Sequence, residues 1–241
     1  MYLLILCGGK ASRLQGVNND VPKCLLKAQG TSILGTLINE LSDYCAKVII
    51  SHADGKPYYN DILSGEITGS KLEKITLVQD QFQKGTAHAV QLHTCGLDGD
   101  FCVMNGDTLF SNYDALLPKA NANYDVCFST SFQSIGRATQ IFPDTKAGGF
   151  DFKKDDMGKD DTKGHVTNGV IYLGGNAVRW LQDQTLEKEK SIEGVLLSNA
   201  HKCGLSFGMH QSGAEFIDFG TPAEYLNPND YLLSFDKIKD E

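Results

Sequence analysis

The first residues constrain the fold most. Tyr2-Leu3-Leu4-Ile5-Leu6 is a short apolar run of β-compatible residues that empties directly into Cys7-Gly8-Gly9-Lys10-Ala11-Ser12-Arg13-Leu14. A run of this length, closed by glycine, reads as a buried strand. A strand that ends in Gly8-Gly9 and then small and basic residues has the chemistry of an anion cradle. Glycines let an anion approach the backbone N–H groups, and Arg13 and Lys23 add full positive charge. Gly-Gly alone is more often an ordinary strand-to-helix turn; with the N-terminal strand and the two cations the balance reverses towards phosphate. The loop is not a Walker A element, because no Gly-Lys-Ser/Thr follows at the required spacing. Nor is it the G-x-G-x-x-G dinucleotide fingerprint.

Apolar β-type runs alternate with helical periods along the rest of the chain. Ile33, Leu34, Leu37, Ile38 and Leu41 recur with a helical period, and Lys47 to Ser51 and Ile75 to Val78 read as strands. Thr86 to Cys95 suits a helix capped by Thr86. Phe101 to Met104 and Asp125 to Ser129 are further strands, and residues 146–154 read as a hairpin edge. The charged stretch that follows, 155–164, lacks the register of a calcium loop and reads as a solvated connection. Val170 to Leu173, Leu205 to Met209 and Glu215 to Ile217 are late strands; helices are expected over 176–182, over 191–201 and beyond Thr221-Pro222. This alternation predicts an α/β fold, a mostly parallel twisted sheet with helices on both faces in three layers. No internal repeat and no linker divides the chain, so one domain over 1–241 is expected.

At 241 residues and 41% hydrophobic content the chain can bury a substantial core, and no apolar run approaches a membrane span. The opening run lacks a basic leader, so it reads as a core strand rather than a signal peptide. Seven cysteines without a C-x-x-C pair read as small buried hydrophobes in a reducing cytoplasm, and zinc is disfavoured. A net charge of −8 disfavours nucleic-acid polymers. It does not disfavour a single nucleotide, which needs only a few local cations and a metal ion.

Open α/β sheets bind ligands at the carboxyl ends of their strands. Asn105-Gly106-Asp107 and Phe216-Ile217-Asp218-Phe219-Gly220 fall at such ends. One aspartate in such a place is usually a turn or helix cap. Two in a chain with a phosphate loop make a hard-cation site an equal reading, since magnesium needs only one or two carboxylates beside phosphate and water. Gln79 and Asp80 follow a strand, where an amide could read a base edge or simply face solvent.

Taken in order, these segments resemble the sugar-phosphate nucleotidyltransferases. The family signature, a strand followed by G-G-x-G-T-R-L and P-K, is met by Gly8, Gly9, Ser12, Arg13, Leu14, Pro22 and Lys23, with Ala11 in place of the third glycine. Further matches are Gly85-Thr86-Ala87, the G-D of Gly106-Asp107, Asn168-Gly169-Val170-Ile171-Tyr172, Ser191-Ile192-Glu193 and the D-x-G-x-P of Asp218 to Pro222. The resemblance implies a Rossmann-like fold and transfer of a nucleotidyl group from a nucleoside triphosphate to a sugar phosphate. It implies catalytic roles for Arg13 and Lys23, with the nucleotide held by Leu6, Gly8, Gly9, Ser12, Gln79, Gly85 and Thr86. It also implies Mg²⁺, or Mn²⁺ in its place, on Asp107 and Asp218. The sugar phosphate would meet Gly106, Asn168, Gly169, Glu193 and Lys153 or Lys154, although an edge-strand lysine that discourages aggregation accounts for those lysines equally well. The late segments are most similar to heptose and mannose 1-phosphate guanylyltransferases. Cytidylyl- and uridylyltransferases share Pro22-Lys23-Cys24-Leu25 or a Gly-Thr-Ala-His stretch like the one ending at His88. A non-catalytic nucleotide-sugar sensor is the reading from another class, and it leaves the two aspartates without a purpose. The expected setting is cytoplasmic, without a membrane partner, and compatible with a homo-oligomer.

Overall fold

The computed structural model describes residues 1–9, 21–53, 58–116, 124–134, 139–144, 149–154, 163–186, 190–220 and 229. In chain order the strands and helices are β1 (Tyr2–Cys7), β2 (Lys27–Ala28), β3 (Thr31–Ser32), α1 (Ile33–Leu41), β4 (Lys47–His52), α2 (Tyr58–Glu66), α3 (Ser70–Glu73), β5 (Ile75–Gln79), α4 (Thr86–Thr94), β6 (Phe101–Asn105), β7 (Thr108–Phe110), β8 (Val126–Ser134), β9 (Thr139–Asp144), β10 (Gly149–Lys154), β11 (Lys163–Leu173), α5 (Gly175–Gln182), α6 (Ile192–Asn199), β12 (Phe207–Gln211) and β13 (Phe216–Asp218). They gather into two compact units. The first is built from Met1–Gln81, Asn105–Ser111 and Phe216–Glu241, the second from Phe82–Met104 and Asn112–Glu215. Neither unit is one continuous stretch of sequence, which is why no linker is visible along the chain.

In the first unit β1, β4 and β5 run parallel in that order. Leu3, Leu4 and Ile5 of β1 and Val48 and Ile50 of β4 are fully buried. Each is worth about 1.5–3 kcal/mol relative to exposure, so the opening apolar run is held as a central strand. Parallel strands need a crossover, and α1 supplies the first. Ser32 caps α1 by accepting from the Gly35 N–H. Ile33, Leu34, Leu37, Ile38 and Leu41 give α1 a continuous buried stripe, as their spacing predicts. The carboxylate of Glu66 accepts from the Ser32 backbone N–H at 2.9 Å, tying α2 to the start of α1.

In the second unit β11 pairs antiparallel with β6, β8 and β9, and β12 lies parallel to β8. The β9–β10 hairpin closes that side with β10 as its outer strand, the hairpin edge expected near residues 146–154. The fold is thus the α/β arrangement the alternation predicts and the Rossmann-like one the resemblance implies. Its parallel pairs lie in β1–β4–β5 and β8–β12, and its antiparallel pairs gather around β11 and the hairpin.

Three details depart from the sequence pattern. β11 begins at Lys163, seven residues before the apolar run at Val170, because its first half alternates rather than running apolar. β7 was not expected; its three residues pair with β13, more than a hundred positions later. α4 starts at Thr86, but its cap is Gly85, with φ 88°, and Thr86 is the first helical residue. The proposed final helix beyond Thr221-Pro222 lies outside the described residues, as do residues 155–162 of the charged stretch, whose last two residues, Lys163 and Gly164, open β11 instead.

Candidate active site

The carboxyl ends of the three parallel strands are in register. Cys7 pairs with His52 and His52 with Gln79, so these residues form the last rung of the ladder. Gly8 and Gly9 leave the sheet from one end of that rung. A Cβ on Gly8 would come no closer than 3.6 Å to Ala53 N, and one on Gly9 would meet nothing within 4 Å. Neither has a positive φ. Among the described residues, then, neither packing nor turn geometry requires these glycines, whereas close approach of a ligand to the backbone would. Ser12 and Arg13 lie outside the described residues, as does Ala11, which stands in place of the third glycine.

Lys23 enters the site on a short 3₁₀ turn, Lys23–Leu25, entered from Pro22 and anchored by buried Cys24 and Leu25. Its Nζ donates to Asp107 Oδ2 at 3.4 Å, with the two side chains 19% and 26% exposed. Asp107 sits at the turn after β6. Its position is fixed from both sides: Gly106 N–H donates to Leu6 O at 3.0 Å, and Asp107 O accepts from Phe219 N–H at 3.0 Å. The second contact makes the β13 end a backbone neighbour of Asp107. Asp218 itself lies opposite Thr108 in the β7–β13 ladder and is exposed. Immediately after it the chain tightens, with Gly220 N–H donating to Asp218 O at 2.7 Å. Gly106 has a packing reason to be glycine, since a Cβ there would lie 2.5 Å from Cys7 Sγ and 3.1 Å from Leu6 O.

The Phe219–Asp107 backbone contact brings the backbones of the two aspartates close, and their carboxylates are an oxygen donor set of the type suited to a hard cation. The neighbouring Cys7 adds no thiolate to that set. Burial, its hydrogen bond with Cys24 and the negative charge of Asp107 push its thiol well above the ordinary value of 9.0. Among the described residues no three His, Cys, Asp or Glu side chains cluster as a closed metal site.

The other residues singled out in the sequence fall in distinct settings. Leu6 is half-buried and Gln79 is exposed at the end of the rung, with Nε2 donating to Ala53 O at 3.5 Å. Asp80, by contrast, is buried, and its N–H donates to His52 O at 2.8 Å. In the second unit, Gly85 presses against the 190–192 segment. Ala87 N–H donates to Lys190 O at 3.2 Å, and the Thr86 hydroxyl accepts from Ile192 N–H at 2.9 Å. Thr86 thereby positions the Ser191 cap of α6, whose first turn carries Glu193.

Asn168 is 1% exposed, and its amide nitrogen lies 2.9, 3.2 and 3.2 Å from the hydroxyls of Ser129, Ser131 and Ser212. Its Oδ1 accepts from Val170 N–H. It stands at the bulge where the β11–β8 register shifts, next to Gly169 with φ 79°. In this structure Asn168 therefore locks strands together. Its serine partners gave no sequence signal beyond the run of hydroxyl residues Ser129-Thr130-Ser131 on β8. Lys153 and Lys154 lie on β10 opposite Gln140 and Thr139, and their side chains lie outside what the structure describes.

Known proteins resemble this chain in sequence and in fold. The model of the family described as MobA-like NTP transferase domain matches residues 3–142. The bifunctional protein GlmU of Methanococcus vannielii is 25% identical over 97% of this chain. The chain spans about half of that relative's length (55%). The D-glycero-alpha-D-manno-heptose 1-phosphate guanylyltransferase of Campylobacter jejuni is 25% identical over 94% of this chain and 98% of its own. The crystal structure of HddC from Yersinia pseudotuberculosis complexed with GMP-PN superposes with a TM-score of 0.76, covering 96% of this chain and 99% of its own, at 22% identity. That likeness confirms the fold. With a family model matching more than half of its length, this chain belongs to the MobA-like NTP transferase domain family.

Proposed function

We propose that this chain joins a nucleoside triphosphate to a sugar 1-phosphate, giving a nucleotide-diphosphate sugar and pyrophosphate, with GTP and a heptose or mannose 1-phosphate as its substrates. The observation that carries this reading is the pairing of Lys23 with Asp107, with the Asp218 strand end beside them, at the carboxyl end of a sheet whose first strand opens into Gly8-Gly9. The near full-length similarity to a heptose 1-phosphate guanylyltransferase supports the choice of base and sugar.

An oxygen of the sugar phosphate attacks the α-phosphorus, the bond from that phosphorus to the bridging oxygen breaks, and pyrophosphate leaves with the electron pair. The nucleophile is already anionic near neutral pH, so no general base is needed. The protein's work is alignment and charge neutralisation. Lys23 takes the α-phosphoryl oxygens, and Arg13, with its planar fork, takes the departing β- and γ-phosphates. The N–H groups at Gly8 and Gly9 donate to the closely approaching triphosphate, while Leu6, Ser12, Gln79, Gly85 and Thr86 are the residues assigned to the nucleotide. Asp107 and Asp218 would hold Mg²⁺ or Mn²⁺, which would neutralise charge on the phosphate oxygens. Gly169, Glu193 and Lys153 or Lys154 are the residues assigned to the sugar phosphate, with Gly106 and Asn168 acting through the backbone they fix. A cytoplasmic location goes with these substrates.

The test is pyrophosphate release with each of GTP, CTP, UTP and ATP against heptose, mannose and glucose 1-phosphates in Mg²⁺. Release that needs both a triphosphate and a sugar phosphate supports the proposal. Release from none of the combinations overturns it.

A further inference from the structure

Lys23 owes its place to a very short element. The 3₁₀ turn Lys23–Leu25 has three residues; Leu25 N–H donates to Pro22 O at 2.9 Å and Leu26 N–H to Lys23 O at 3.0 Å. A single turn of this kind does not hold itself in water, so the side chains packed around it must. Cys24, the neighbour of Lys23, is 2% exposed. Its sulfur lies 3.5 Å from the Tyr59 hydroxyl on α2 and also forms a hydrogen bond with the Cys7 thiol at the end of β1. The Cys7 sulfur in turn occupies the space that a Cβ on Gly106 would take, directly before Asp107.

Tyr59 is fixed in this place from a second direction. Its ring lies against that of buried His52, with centroids 4.9 Å apart and planes tilted by 30°, and His52 pairs with Cys7 in the last rung of the sheet. Tyr59, Cys24, Cys7 and His52 therefore close a ring of contacts around the turn that carries Lys23, all of it inside the first unit. Phenylalanine would serve packing alone. A tyrosine hydroxyl taken to 2% exposure is costly unless it is bonded, and here it bonds the residue beside Lys23. We propose that Tyr59 is a positioning residue for Lys23: its hydroxyl holds Cys24, and through Cys24 it sets the lysine Nζ 3.4 Å from Asp107 Oδ2. This rests on the transferase reading above and gives a part in the site to a residue outside the groups assigned to nucleotide, metal and sugar phosphate.

The test measures pyrophosphate release by the full chain in Mg²⁺, with the triphosphate and sugar 1-phosphate that the native chain turns over fastest. Rates are resolved into kcat and the KM for the triphosphate, for the native chain, Tyr59→Phe, Lys23→Ala and the two combined. Tyr59→Phe keeps the ring against His52 and removes one hydrogen bond, so kcat should fall about two- to tenfold. The KM should stay within about twofold, since the lysine acts on the transition state. In the Lys23→Ala background the same substitution should leave kcat unchanged, because the group it positions is gone. Cys24→Ala removes the bond from its other end; it should lower kcat at least as far, again only while Lys23 is present, and it carries the comparison if Tyr59→Phe does not fold. A folded Tyr59→Phe with native kcat, whatever its melting midpoint, overturns the positioning role while the transferase reading stands. An equal fall of kcat with and without Lys23 shows that Tyr59 acts elsewhere and overturns it too. If the native chain releases no pyrophosphate, both readings fall together.

Discussion

Gly106→Ala is a sharp test of how the site is built. The added methyl would lie 2.5 Å from Cys7 Sγ, 3.1 Å from Leu6 O and 3.2 Å from Ile5 Cγ2. Carbon atoms in good contact sit about 3.5–4.0 Å apart, so all three neighbours must retreat. Leu6 O is backbone and accepts from the Gly106 N–H at 3.0 Å, so its retreat stretches a ladder bond at the end of a central strand. Overpacking of this kind costs about 1–3 kcal/mol, and the rigid neighbours place this variant in the upper half of that range. For a chain of this length each kcal/mol lowers the melting midpoint by about 2–4 °C, which gives a drop of about 5–10 °C in a calorimetric or circular-dichroism melt. Cys7→Ala in the same background removes the closest contact. The double-mutant cycle should then show about 1 kcal/mol or more of favourable coupling, since the two changes meet at one point. A Gly106→Ala melt within a degree of the native chain would refute the close approach, and strictly additive variants would refute Cys7 as the obstacle.

Lys23→Ala and Asp107→Ala should each lower turnover about 10²–10³-fold, the usual consequence of losing one electrostatic contact at a reacting phosphate, while melting close to the native chain. Steady-state pyrophosphate release measures this, and a loss under threefold would contradict the roles assigned. Asn168→Ala strips three buried hydroxyls of a shared partner and should cost about 2–3 kcal/mol in equilibrium urea unfolding; an unchanged midpoint would show that the hydroxyls repair themselves. Asp125 lies below its ordinary value of 3.8 because the Ser206 backbone N–H, the Ser206 hydroxyl and Asn176 donate to its carboxylate. A depressed carboxylate contributes stability above its unfolded value and loses it as pH falls through the folded one. The melting advantage of the native chain over Asp125→Asn should therefore hold steady from pH 8 to about 5 and close on further acidification. An advantage unchanged at pH 2.5 would show that the charge is not its source.

The parallel strands were legible because buried strands write themselves as local apolar runs; Leu3 to Ile5 and Val48 to Ile50 needed no distant partner to be recognised. Gly106-Asp107 was readable as a strand end, but the reason for its glycine was not, because Leu6 and Cys7 lie a hundred residues earlier. β7 escaped for the same reason, as three residues give no period and their partner is β13. Thr86 has the side chain of a cap, yet the positive φ of Gly85 gave the cap to its neighbour, and the hydroxyl went to Ile192 instead. Asn168 shows the limit most clearly. Its type and place beside a glycine match a sugar contact, while its amide is occupied by Ser129, Ser131 and Ser212, which only the register of β8 and β11 brings together.

Phosphorus-31 NMR of one reaction tests the central claim most directly: GTP, heptose or mannose 1-phosphate and Mg²⁺ with the full chain. The account predicts that triphosphate signals decline as a nucleotide-diphosphate sugar and pyrophosphate grow in together in equal amounts. Guanosine diphosphate with inorganic phosphate, or pyrophosphate appearing without a sugar nucleotide, would contradict it.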